Sequence, residues 1–168
     1  MRERRNTGGT DLRGMLLAST PSLYGLAPSA DLPRVWAGLM EIALGEDAKD
    51  SASVVAIADG SASLYTSRLG GVIGAGEHES VRRSALEFLR AMDGSLDVLG
   101  LAASAPRPSR RGEYAFVALT YQGMRRATVD EASAATRGHA LFPLFVAGHA
   151  LLTAIRTTTE QTQRGDRQ

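Results

Sequence analysis

Hydrophobic positions along the chain recur at two spacings. Leu32, Val35, Trp36, Leu39, Met40 and Ala43 fall three and four residues apart, as on one face of a helix. Asp31 offers an N-cap, Pro33 falls in the first turn and Gly45 closes the run, so this segment is predicted to be the first helix of the domain. Ser53–Ala58 and Ala62–Ser67 read as strands around Asp59-Gly60, a pair that tolerates the positive φ of a tight hairpin. Glu113–Tyr121 and Met124–Val129 repeat this pattern around Gln122-Gly123. A helical stripe of Val81, Ala85, Phe88, Leu89, Met92, Leu96 and Leu99 begins near Glu77–Val81, with Gly94 inside it as a break or bend. A last helix runs from Ala140 to about Thr157 on Leu141, Leu144, Phe145, Leu151, Leu152 and Ile155.

Connections fill the rest. From Thr10 to Ala30, leucines interleave with prolines and serines, which suggests a short helix and then an extended arm lying on the domain. Leu69–Gly76 is glycine-rich, and residues 100–112 form a loop with three arginines. Residues 1–10 and about 158–168 are polar and aperiodic and read as mobile tails around a single domain at 11–157. The two hairpins are each followed by a small-residue loop, a Gly and a His near a helix start, and an apolar helix. Two such ββα units predict an α+β fold: an antiparallel sheet of four to five strands with helices on one face, plus the N-terminal helix.

Composition narrows the chemistry. The chain has 168 residues and 43% hydrophobic content, an ordinary globular balance. Its formal net charge is +1, which implies neither a nucleic-acid field nor an acidic partner surface. It has no cysteine, so disulfides, thiol nucleophiles and cysteine-held metals are excluded. Lys49 is the one lysine, and no P-loop surrounds it. The longest apolar stretch, Ala140 to Ile155, contains Pro143, Gly148 and His149 and is shorter than the ~20 residues that span a bilayer. The basic start is followed by Asn6–Thr10, not by an apolar run, so the default is a cytoplasmic protein without a membrane partner.

Three places hold candidate chemistry. Gly70–Ser80 has the make-up of a phosphate-cradling loop, but Glu79 stands where the third glycine of GxGxxG is needed. Glu77 and Glu79 would also repel an anion, so close packing of glycines is the expected role and no cofactor is implied. His78, Glu79, His139 and His149 are the candidate acid/base or metal residues. HExxH is absent, and on one straight helix His139 and His149 would lie ~15 Å apart, too far to share an ion. No metal site is therefore predicted. No GxSxG elbow marks a nucleophilic serine. Arg125-Arg126 sits in a return strand, whose side chains point to opposite faces and make a poor phosphate clamp.

Asp59-Gly60-Ser61-Ala62-Ser63-Leu64-Tyr65, Gly70-Gly71-Val72-Ile73-Gly74-Ala75-Gly76-Glu77-His78-Glu79, Gly138-His139, Pro143-Leu144-Phe145 and Gly148-His149 together resemble a family of small uncharacterised bacterial proteins over about residues 11–156. That resemblance brings no activity. Here Arg68-Leu69 replaces positions expected to be small or polar, and the acidic run after the second hairpin is diluted to Asp130-Glu131. The element order also resembles roadblock and profilin-like domains, which implies dimerisation and a protein partner such as a small GTPase. With no convergent catalytic signature, the expectation is a non-enzymatic interaction or regulatory module that self-associates. The alternative is a small hydrolase using His78 with His139 or His149.

Overall fold

The computed structural model describes residues 8–67, 70–72 and 75–165. It is an α+β domain built on one antiparallel sheet. Among the described residues seven strands take part: β1 (Val35–Leu44), β2 (Asp50–Ile57), β3 (Ala62–Thr66), β4 (Gly70–Val72), β5 (Gly100–Ala102), β6 (Glu113–Thr120) and β7 (Gly123–Asp130), in the order β4-β3-β2-β1-β6-β7-β5. The helices are α1 (Gly8–Leu17), α2 (Glu79–Gly94), the short α3 (Glu131–Ala134) and α4 (Phe142–Gly165).

The largest correction concerns the segment expected to be the first helix. Val35–Leu44 is the central strand, paired with β2 on one side and β6 on the other. The helical spacing was coincidental. A strand covered on both faces is apolar at nearly every position, and a continuous apolar run satisfies a 3.6-residue period as readily as a two-residue one. Val35 to Glu41 are all buried. A bulge at Trp36 shifts the register between Val35 and Ala37, which puts Trp36 and Ala37 on the same face. Asp31 caps no helix; it pairs with Arg90. The start of β1 is instead fixed by Asp93 near the end of α2, which accepts from the backbone N–H of Arg34 and Val35 at 3.0 and 3.1 Å and from Arg34 Nε at 2.8 Å.

Both expected hairpins are present, with β2–β3 turning at Asp59-Gly60 and β6–β7 at Tyr121-Gln122, one residue before the expected Gln122-Gly123, since Gly123 already pairs with Thr120. The sheet nevertheless has seven strands, not four to five, because the central strand and two three-residue edge strands add to them. Gly70 and Gly71 belong to edge strand β4. Gly74 lies outside the described residues. Gly76 sits in a 3₁₀ turn without positive φ; a Cβ there would meet Gly60 O and Ser61 Cα at 2.8 Å, so close packing requires this glycine. Gly94 ends α2 as expected, and β5 occupies the start of the expected 100–112 loop. The last helix runs past Thr157 to Gly165, where a tail was expected; Thr158 is buried, and the Thr159 and Thr162 hydroxyls bond the carbonyls four residues back.

α2 and α4 cover one face of the sheet. Val54, Met40, Phe116 and Ala118 from the strands meet Phe88, Leu89, Met92, Leu144, Leu151 and Ile155 from the helices. Gly148 of α4 lets the helix approach the sheet: a Cβ there would strike Met40 Sδ and come within 3.3 Å of Phe88. On the other face, Leu16 of α1 packs with Trp36, Leu39, Val55, Val117 and Leu119, so the N-terminal arm lies across the sheet within one chain. No helix among the described residues is long and apolar enough to cross a membrane.

Candidate functional site

Of the four residues proposed from sequence, His78 and Glu79 are neighbours at the start of α2, while His139 and His149 each bond elsewhere. His78 is exposed at the N-terminus of α2, and its side chain makes no capping hydrogen bond. Glu79 follows it, exposed in the first turn. His139 lies in the turn before α4, where its Nδ1 accepts the Leu141 backbone N–H at 3.1 Å. His149 is inside α4, half-buried against Phe145, with ring centroids 4.5 Å apart. No hydrogen bond joins any two of these histidines, and no group of three metal-ligating side chains forms among the described residues.

His149 does have a chemical partner. Its Nε2 lies 3.0 Å from the hydroxyl of Tyr114, which β6 points toward the helices. Burial pushes the Tyr114 hydroxyl up to about 12, and the Glu131 carboxylate adds to that. Burial holds the His149 imidazole below its ordinary value, while Glu131 opposes the shift. The pair is therefore neutral near pH 7 and is joined by one hydrogen bond whose direction follows the imidazole tautomer. A cavity of about 300 Å³ opens beside it, with Tyr114, Glu131, Arg111 and Glu46 among its walls. His149 is not in that wall.

A second polar site lies under the arm. Glu41, in the middle of the central strand, is fully buried on the arm-covered face. Its carboxylate accepts from Arg13 of α1 at 2.5 Å (Nε) and 2.7 Å (Nη2), and from the Ser53 hydroxyl at 2.9 Å. Arg13 Nη2 also donates to the Ala105 carbonyl at 2.6 Å. Beside this pair, Arg107 donates to Ser51 Oγ at 2.7 Å. Burial lowers the Arg107 pKa from its usual value, and neighbouring Arg13 adds to this while Glu41 opposes it. The sequence reading missed this network. The available signal was Glu41 itself: a carboxylate inside an otherwise apolar run must find a counter-charge once buried.

The third place is the β5 edge. Leu101 is 80% exposed and Val98 47% exposed. Next to them is a cavity of about 490 Å³ walled by Pro28, Pro33, Leu96, Leu101 and Tyr121, with Arg34 and Arg125 among its polar groups. Arg125 Nη1 donates to the Leu96 and Leu99 carbonyls at 3.2 and 3.0 Å. Arg126 reaches the other way, to the Pro106 carbonyl at 2.9 Å. The two arginines thus point to opposite faces, as strand alternation requires.

No protein-family model matches the chain, and no curated protein or solved structure is significantly similar to it.

Proposed function

We propose that this chain is a non-enzymatic protein-interaction or regulatory module that self-associates, and that it docks through the β5 edge. The observation that carries this reading is Leu101, 80% exposed on the terminal strand of the sheet beside a groove of mixed apolar and charged lining. Edge strands are ordinarily blunted with lysine, proline or a bulge, because unpaired backbone groups recruit other strands. β5 is blunted by its three-residue length, yet it presents an exposed leucine. Three residues supply few backbone hydrogen bonds, so Leu101, Val98 and the groove must provide most of the contact. A second copy meeting β5 antiparallel across a two-fold axis would set Leu101 beside its own counterpart, as a self-complementary interface requires. In outline the order of α1, antiparallel strands, α2, further strands and α4 resembles roadblock-like domains, for which a small GTPase is a partner type, but the helix expected directly before the β2–β3 hairpin is strand β1.

Light scattering at micromolar concentrations tests the reading. The wild-type chain is expected at twice its 17.8 kDa mass, and Leu101→Lys at the single mass with an unchanged circular dichroism spectrum. A wild type that is monomeric throughout removes self-association from the proposal.

A small hydrolase is the second reading, and the Tyr114–His149 hydrogen bond is the observation that favours it. Hydrolysis of an activated ester that is lost in His149→Asn and kept in His78→Asn would move the assignment to an enzyme.

A further inference from the structure

We propose that the Glu41 cleft is an arginine-recognition site shared between copies of this chain: Arg13 of a second copy replaces the chain's own Arg13, so that the α1 arms exchange. This rests on the reading that the chain self-associates, but it uses a different surface from the β5 edge.

The cleft is specific for a guanidinium. A fully buried carboxylate presents two oxygens to one planar fork, and the Ala105 carbonyl accepts from the same fork. A lysine ammonium could not meet that geometry in two parallel bonds. While this face is covered the carboxylate needs a counter-charge, because an unpaired buried charge is strongly unfavourable; with the arm withdrawn it is hydrated, and covering the face again selects an arginine.

Beyond that ion pair, α1 has few anchors of its own, and the segment after it is held by Tyr24 against Trp36 and by Leu26 in the same cluster. Of the described side chains of α1, Leu16 is the one fully buried apolar anchor, Leu12 and Leu17 are half-buried, and Met15 is 64% exposed. The following segment, residues 18–34, enters no strand and contains Pro21, Pro28 and Pro33, with one 3₁₀ turn at Pro21–Tyr24. Leu32 is buried in the core, and Asp31 and Arg34 are tied to Arg90 and Asp93, so the stretch that could extend is residues 18–30, thirteen residues that reach at most about 47 Å. That is long enough to carry α1 to a neighbouring copy, and exchange of an identical terminal element is a common route to dimers. Leu23, 75% exposed in that connection, and Met15 have no apolar partner within the chain that covers them. Two exchanged arms crossing one another would cover both.

The test uses the full chain in three forms: wild type, Arg13→Glu and Glu41→Arg. Native mass spectrometry with one isotope-labelled partner reads the composition of any dimer, and Trp36 fluorescence reads folding. Refolded at high micromolar concentration, the wild type is expected to form a dimer that persists in Leu101→Lys. Each charge reversal alone puts like charges in the cleft and is expected to lose the dimer and much of the folded signal. Mixed together they are expected to recover both as a one-to-one heterodimer, because each cleft then holds one carboxylate and one guanidinium. A wild type that never leaves monomer mass overturns the proposal, as does a mixture that fails to rescue either signal. A dimer that is lost in Leu101→Lys but indifferent to Arg13→Glu overturns it while leaving the β5-edge reading intact.

Discussion

The two faces of the sheet are buried by different physics. On the helix-covered face, large apolar side chains interlock: Met40 and Phe116 from the strands against Phe88, Leu89, Met92 and Leu144 from the helices, all without solvent exposure. On the arm-covered face the strands also bury apolar residues, Trp36, Leu39, Val55, Val117 and Leu119, but beside them is a charged network of Glu41, Arg13 and Ser53, with Arg107 and Ser51 alongside. The first face gains stability from contact area and tolerates no vacancy. The second gains specificity, because its closing segment is selected by one ion pair. The difference predicts where the molecule is rigid and where it can open.

The largest expected effect tests the first face. Phe88→Ala should cost about 3–5 kcal/mol in chemical denaturation, since it removes a fully buried ring between α4 and the sheet. A cost below about 1 kcal/mol would mean that this face is loosely packed and the contrast is false.

The second face should answer differently to single and double changes. Arg13→Leu leaves the Glu41 charge buried and unpaired, at a cost of about 3–5 kcal/mol. Changing both, Arg13→Leu with Glu41→Leu, should cost much less than the sum of the two single variants, because an apolar pair needs no counter-charge. Additive costs would show that the pair does not act as a unit. No such rescue is expected for any two residues on the helix-covered face that lie apart.

Gly148→Ala sharpens the contrast further. The added methyl must displace Met40 and Phe88, so destabilisation of about 1–3 kcal/mol is expected, with α4 pushed from the sheet. The same change at exposed Gly14 of α1, where nothing lies within 4 Å of a Cβ, should be neutral or stabilising.

The helix-covered face was the more legible of the two in the sequence. The stripe of α2 and the anchors of α4 are amphipathic, so their period survives, and Phe88 and Leu89 of that stripe are fully buried as expected. Phe145 and Leu152 are only half-buried. The central strand was not legible as a strand. Covered on both sides, it lost the alternation that marks a half-exposed strand, and Asp31 and Gly45 happened to stand where helix caps would. β4 and β5 are three residues each, too short for any periodicity. Of the candidate site, the histidines were visible as residue types, but their separation depended on the fold. Tyr114 gave no local signal, because its partner lies thirty-five residues away on α4. Arg13 and Glu41 are likewise paired only by the arm's path across the sheet.

The smallest effect concerns the Tyr114–His149 pair, at the margin of the helix-covered face. Tyr114→Phe removes one hydrogen bond and should cost about 0.5–1.5 kcal/mol at neutral pH. Its pH dependence is the sharper measurement. His149 titrates below its ordinary 6.5 in the folded chain, so its contribution is whole above that pH and is lost as the pH falls toward the folded value, where the unfolded chain takes up the proton first. Tyr114 moves the opposite way, from 10.0 to about 12, so its contribution is whole below pH 10 and is lost as the pH rises toward 12. Urea denaturation across this range should show stability falling at both ends. His149→Asn should flatten the acid limb and Tyr114→Phe the alkaline one. Limbs unchanged by either substitution would mean that other groups carry the titration and that this pair is no more than packing. Limbs that flatten as expected, with no hydrolytic activity to match, would fix the pair as a structural hydrogen bond of the apolar face and leave the arm-covered face as the one built around charge.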